Sequence, residues 1–333
     1  MIKRILKWFC LILVGLFLFF LVIDLVRINI SRNETKLNTP EDPHSSEWMK
    51  DLSDDLFLSE LTLPGTHDSG SQHILFSPFL KCQCSSILAQ VQNGYRYLDI
   101  RLGVRKDSLC LLHSFAVCKK DGRLLTSPDL TLDAVLTDLY AFLEEHPSET
   151  ILFCVRKEDE NADLQVFQNL LEKTVQENEA VWYLEDRIPK LGEVRGKIVL
   201  CTRFPENRGV SKPAAGLSLS WPDQPDGTYQ GAPYEEIPLP SDAVLFVQDH
   251  YNYDCKDKET VFLLTDQART AGQNSFCLNF ASTTGGGVLG RPKLSAQTLN
   301  ETVLSTDFGT GSGVILVDFG TEELAKHIYE SNR

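Results

Sequence analysis

Eight short apolar stretches recur along the chain, each followed by polar or helical sequence: residues 61–64, 95–101, 108–113, 150–155, 197–203, 243–248, 275–280 and 313–318. Mostly apolar strands that alternate with helices belong to parallel sheets covered on both faces. Eight of them in one run predict closure into a distorted (β/α)8 barrel, an α/β fold of this length. A doubly wound open sheet is the alternative, but no Gly-rich dinucleotide loop follows the first stretch. The connections carry helical signals. In "TLDAVLTDLYAFLEEHP", Leu132, Val135, Leu136, Leu139 and Leu143 share one face, Thr131 is placed to cap the helix and Pro147 to stop it. Residues 162–177 and 321–332 read as further helices. Seven of the 15 prolines lie between Pro205 and Pro240, which predicts a long structured loop.

The N-terminus reads differently. Lys3, Arg4 and Lys7 precede the uncharged run "WFCLILVGLFLFFLVI", and no small-residue cleavage site follows. Residues 1–28 are therefore expected to be a signal-anchor, with a cleaved signal peptide and secretion as the rival. That expectation makes the chain a single-pass membrane protein with its main domain on the extracytoplasmic side. Residues 29–47 read as a polar tether and residues 48–333 as one barrel domain. A net charge of -14 argues against nucleic acid and against a polybasic membrane-docking face. The nine cysteines do not form a zinc pattern, because Cys82-x-Cys84 lacks a second pair at ligand spacing. Cys110 and Cys118 could bridge or stay free. Asn29, Asn33 and Asn300 open glycosylation sequons that matter only in a eukaryotic secretory route.

Functional groups of such a barrel collect at the C-terminal ends of its strands. His67 and Asp68 follow the first stretch, in "LTLPGTHDSG". Asp99 and Arg101 close the second, and His113 the third. Arg156 and Glu158 lie at and past the end of the fourth, Arg203 closes the fifth, Asp249 follows the sixth and Asp318 closes the eighth. Asp99 and Arg101 are two residues apart, as are Arg156 and Glu158, so each pair faces one side of its strand. Charges are common where strands meet wet loops, but that explains one or two such positions and not seven strands of eight. Two histidines, several arginines and several carboxylates suit an anionic, oxygen-rich substrate, with one histidine as base and another as acid. His44, His73, His146, His250 and His327 read as solvated.

These residues resemble a known family. "LTLPGTHDSGS", "GYRYLDIRLG", "LLHSF", "HPSETILFCVRKE", "RGKIVLCTRF", "LFVQDHYNY" and "GVILVDFG" are similar, in order, to blocks of the bacterial phosphatidylinositol-specific phospholipases C, the X-domain fold. The resemblance runs from about residue 48 to the C-terminus. It implies cleavage of phosphatidylinositol into diacylglycerol and inositol 1,2-cyclic phosphate by a monomer that needs no cofactor and no metal. It makes His67 the general base, oriented by Asp318, with Arg101 on the phosphate and His113, assisted by Asp68, the general acid. Asp99, Arg156, Glu158, Arg203 and Asp249 resemble the groups that hold inositol hydroxyls, and Tyr251 the ring that stacks on the sugar.

The chain also departs from the family. Arg156 stands where a lysine is expected. The rim tryptophans of bacterial members are absent, "SPFLKC" offering Phe79 and Leu80, and Trp221 is the only tryptophan in a candidate rim loop. Calcium-dependent relatives carry an asparagine after the first histidine and carboxylates on the second and fourth strands, where Asp68, Arg101 and Arg156 stand. Three other readings stay open. A glycosyl-phosphatidylinositol anchor is an alternative substrate. Glycerophosphodiesterase-like barrels are a different enzyme class, but hold a metal with Glu-x-Asp where this chain has Asp99-Ile100-Arg101. An inactive, membrane-anchored inositide-binding barrel is the non-enzyme reading.

Overall fold

The computed structural model describes residues 7–19, 21–22, 40–123, 126–203, 216–225, 227–239, 241–268, 273–286 and 290–333. Twelve strands form one curled sheet: β1 (Thr62–Thr66), β2 (Tyr97–Arg105), β3 (Ser108–His113), β4 (Ala116–Val117), β5 (Thr150–Lys157), β6 (Trp182–Tyr183), β7 (Lys197–Arg203), β8 (Leu217–Ser218), β9 (Glu235–Pro238), β10 (Val244–Gln248), β11 (Ser275–Ala281) and β12 (Gly313–Val317). Helices α1 (Ile87–Gln92), α2 (Leu132–Glu145), α3 (Leu164–Gln176), α4 (Cys255–Ala268), α5 (Pro292–Ser305) and α6 (Glu322–Tyr329) connect or cover them. Thr131 caps α2 through the Ala134 N–H, as the spacing predicts.

The strand order is β6-β7-β5-β2-β1-β12-β11-β10-β9, parallel from β6 to β10 and antiparallel at β9, with β8 also along β7. Among the described residues, β9 pairs with neither β6 nor β8. The sheet is therefore a partial barrel, not a closed ring of eight staves. One expected stave, residues 108–113, is instead the antiparallel partner of β2. Lys106 and Asp107, both with positive φ, make the two-residue turn that sends β3 back along β2. An apolar run does not disclose which way its strand will point.

The expected single-pass anchoring is corrected as well. Among the described residues, no helix is long and apolar enough to cross a membrane. Helical residues 7–19 extend about 20 Å at ~1.5 Å per residue, against a hydrocarbon core of ~30 Å. Residues 1–6, 20 and 23–28 of the expected anchor, and 29–39 of the tether, lie outside the described residues. So do residues 204–215, 226 and 240 of the proline-rich loop, whose described part contributes β8 and β9. Residues 43–46, read as tether, form a tight turn with Ser45 and Ser46 buried, both carbonyls taken by the fully buried Arg96.

Period-2 alternation positions the site. On β2, Leu98, Ile100 and Leu102 pack outward against helices, while Tyr97 joins the interior core with Leu152, Cys154, Val199, Cys201, Leu245, Val247, Val314 and Leu316. Two residues further along each strand, the same inward face carries Asp99 and Arg101, Arg156, Arg203, Asp249 and Asp318. The apolar barrel floor thus gives way to charge at one level. The register pairs Arg101 with Arg156 and Arg156 with Arg203 across adjacent strands.

Candidate active site

Three positively charged side chains on neighbouring strands would repel one another unless carboxylates intervene. They do. Arg101 Nη2 lies 3.1 Å from Asp99 Oδ2, Arg156 Nε 3.4 Å from Glu158 Oε2, and Arg203 Nη2 3.1 Å from Asp249 Oδ2. Burial favours the neutral acid at Asp99, yet Arg101 outweighs it and holds that carboxyl well below its usual range. Burial likewise favours the neutral form of Arg203, whose guanidinium lies 3.6 Å over the Trp221 ring.

Two His–Asp pairs face this arginine row. His67 follows β1, and its Nδ1 lies 2.7 Å from Asp318 Oδ1 while Arg101 Nη2 lies 2.8 Å from its Nε2. A carboxylate only accepts and a guanidinium only donates. Those partners assign the neutral ring with hydrogen on Nδ1 and a lone pair on Nε2. His113 ends β3. Its Nδ1 lies 2.5 Å from Asp68 Oδ2 and 2.6 Å from the Leu80 carbonyl, both acceptors, so Nδ1 carries a proton and Nε2 is the remaining ring nitrogen. Burial opposes its charging, but Asp68 and Glu158 prevail and raise its pKa above the usual histidine value. The two rings meet edge to face with centroids 6.5 Å apart.

Strain and support are concentrated here. Asp68 (φ 42°), Ser114 after His113 (φ 55°) and Phe319 after Asp318 (φ 53°) occupy the left-handed region. The buried Gln83 side chain donates to the His67 and Val317 carbonyls and accepts from the Gly320 N–H, tying the ends of β1 and β12 together. A Cβ on Gly70 would stand 2.2 Å from the Leu111 side chain, so any larger residue in the turn after Asp68 would force the buried Leu111 to shift. All of this surrounds a cavity of about 1050 Å³ at the C-terminal strand ends.

Among the described residues, two three-donor groups offer ligand types a transition metal takes: His67, Cys82 and Asp318, and Asp68, Cys82 and His113, each with donor atoms within 4.8 Å. In both, the ring Nδ1 already faces its carboxylate. The carboxylates Asp99 and Glu158, the ligand type calcium takes, are already paired with Arg101 and Arg156, whose charges would repel a divalent ion.

A family model described as phosphatidylinositol-specific phospholipase C, X domain, matches residues 65–204. The 1-phosphatidylinositol phosphodiesterase of Listeria monocytogenes is 28% identical over 307 residues, covering 87% of this chain and 86% of the relative. That of Staphylococcus aureus (strain Newman) is 27% identical over 309 residues, covering 86% and 94%. The solved phosphatidylinositol-specific phospholipase C from Listeria monocytogenes superimposes with a TM-score of 0.66 at 25% identity, covering 87% of this chain and 99% of that one. Over most of its length the chain is similar to bacterial phosphatidylinositol-specific phospholipases C, and residues 65–204 match their X domain.

Of the residues singled out for this phospholipase fold, His67, Arg101, His113, Arg156, Glu158, Arg203, Asp249, Tyr251 and Asp318 line the cavity. Asp68 and Asp99 do not. Asp99, expected among hydroxyl-holding groups, stands behind the wall, where its Oδ2 takes the Asp68 N–H and Arg101 Nε. Tyr251 donates to Asp223, and burial followed by that carboxylate pushes its pKa up to about 12. Trp221, read as a rim residue, is buried and donates to Asp249 Oδ2. His250, read as solvated, is buried and stacked on Tyr253 at 4.5 Å. The Asn300 amide, in a sequon, donates to the Asp318 carbonyl. Cys110 and Cys118 are not bridged to each other.

Gln83 and Cys82 were missed because "LKCQC" reads only as half a metal motif. Phe115 was missed too, though its place beside His113 in "LLHSF" was a signal. It is 68% exposed and pairs with Phe76 at 5.7 Å, while Phe115, Phe79 and Leu80 line the cavity.

Proposed function

We propose that the barrel formed by residues 48–333 cleaves phosphatidylinositol at a membrane surface, as a monomer, without metal. The observation that carries this reading is the pair of histidines held in complementary states: neutral His67, whose Nε2 lone pair accepts from Arg101, and His113 raised toward its cationic form beside Asp68. One is ready to take a proton and the other to give one. The names of the family's curated members, 1-phosphatidylinositol phosphodiesterase, support the same substrate class.

The inositol 2-hydroxyl attacks phosphorus as His67 Nε2 removes its proton, and Asp318 stabilises the imidazolium that forms. Arg101 exchanges His67 for the phosphate oxygens and stabilises their growing charge, braced from behind by Asp99. The bond from phosphorus to the glycerol oxygen breaks, and His113 Nε2 protonates that oxygen. Diacylglycerol and inositol 1,2-cyclic phosphate leave, with His67 protonated and His113 neutral until a proton returns between them. Arg156, Glu158, Arg203 and Asp249 bind ring hydroxyls, and Tyr251 covers the sugar face.

The test is thin-layer analysis of the full chain with labelled phosphatidylinositol, its 2-O-methyl analogue and a glycosyl-phosphatidylinositol. Diacylglycerol is expected from the first and none from the second, which lacks the attacking hydroxyl. Release from the 2-O-methyl lipid would mean direct attack by water.

A further inference from the structure

Among the buried charges that the mechanism does not use, one stands without a carboxylate partner among the described residues, unlike Arg96, which pairs with Glu149. Lys258, in the first turns of α4, is completely buried. It forms no ion pair among the described residues; its Nζ donates to the Gln248 side-chain oxygen and, at 3.2 Å, to the His250 carbonyl. A buried ammonium that meets only neutral oxygens is costly to keep. Burial drives its pKa down to about 7, against the pull of the Asp249 and Asp318 carboxylates.

The two groups it grips bracket a single residue. Gln248 precedes Asp249 and His250 follows it. Gln248 is itself fixed, its amide donating to Asn279 Oδ1 and to the Phe280 carbonyl, both at 2.9 Å, while its oxygen also takes the His250 N–H. The Asp249 backbone N–H is taken at 2.6 Å by Gln224, and its carboxylate meets Trp221 Nε1 and Arg203. The lysine thus closes a clamp across the one backbone segment that carries Asp249 into the cavity.

We propose that Lys258 is a positioning residue that holds Asp249, and through it Arg203, in place for the substrate headgroup. The inference rests on the reading of Arg203 and Asp249 as headgroup-binding groups. Lys258 touches no substrate and acts only through the chain on either side of Asp249.

A double-mutant cycle with Lys258→Met and Asp249→Asn, assayed on a water-soluble inositol 1-(aryl phosphate), tests it. Misplaced headgroup contacts should raise KM roughly tenfold to a hundredfold while kcat changes by less than about threefold. Because both changes act through one contact, the double variant should be no worse than Asp249→Asn alone. Lys258→Gln, which keeps a donor without the charge, should fall between wild type and Met. If Met at this position prevents folding, the cycle with Gln is read by the same criterion. Additive losses, an unchanged KM, or a fall in kcat alone would overturn the positioning role while leaving the site reading intact. An unchanged KM in Asp249→Asn would instead overturn the headgroup reading, and Lys258's part with it.

Discussion

Replacing Asp318 by asparagine isolates the orientation of the base. The two side chains have nearly the same volume, and the Asn300 bond to residue 318 is to its backbone carbonyl, so packing is preserved. Two things change. The His67 imidazolium loses a carboxylate 2.7 Å away, in a site where the Asp318 side chain is only 1% exposed and water cannot substitute. If the amide nitrogen turns inward, it donates to Nδ1 and drives the ring hydrogen to Nε2, where it confronts the Arg101 guanidinium, another donor. Loss of the oriented tautomer and its counter-charge is worth ~10⁴ in turnover in the comparable Ser-His-Asp arrangement, or about 5.4 kcal/mol. The assay is kcat/KM for Asp318→Asn on phosphatidylinositol in mixed micelles and on an inositol aryl phosphate, with thermal unfolding as control. Both substrates should lose the same factor, because the His113–Asp68 acid pair is untouched. Retention of more than about a tenth of wild-type activity would refute Asp318 as the group that orients and charge-balances the base.

His113→Ala should abolish most turnover of phosphatidylinositol but spare much more with a phenol leaving group, which departs without a proton; equal loss on both would remove His113 as acid. Asp68 raises the His113 pKa, so the protonated acid persists above the usual histidine range and the alkaline limb of kcat should lie there. Asp68→Asn should move that limb to lower pH, and an unmoved limb would mean that another group sets it. Excess EDTA should leave the wild-type rate unchanged and millimolar calcium should not raise it, because the adjacent Arg101 and Arg156 would repel a divalent ion from the cavity; silencing by chelation would return His67 and Asp68 to a metal site.

The site was legible because its signal is positional. A strand's inward face repeats every second residue, so Asp99, Arg101, Arg156, Arg203 and Asp318 could be placed from short apolar runs alone. Direction and closure were not legible in the same way. Residues 108–113 look like any barrel stave until the two-residue turn at Lys106 and Asp107 reverses them. That reversal is what brings His113 back to the level of Arg101. Buried polar groups were the least visible. Gln83 bonds across to Val317 and Gly320, Trp221 to Asp249 and Lys258 to Gln248 and His250, partners that no local sequence pattern announces. The apolar run at residues 8–23 shows the converse, since among the described residues it gives no helix long and apolar enough to cross a membrane.

The central claim is that the attacking oxygen belongs to the substrate's own ring and that two histidines pass its proton to the leaving group. Phosphorus NMR during turnover of phosphatidylinositol by the wild-type chain reads this directly. The five-membered cyclic phosphate of inositol should be the first and, early in the reaction, the only new phosphorus signal. Inositol 1-phosphate appearing first, or together with the cyclic diester from the earliest time point, would contradict the account.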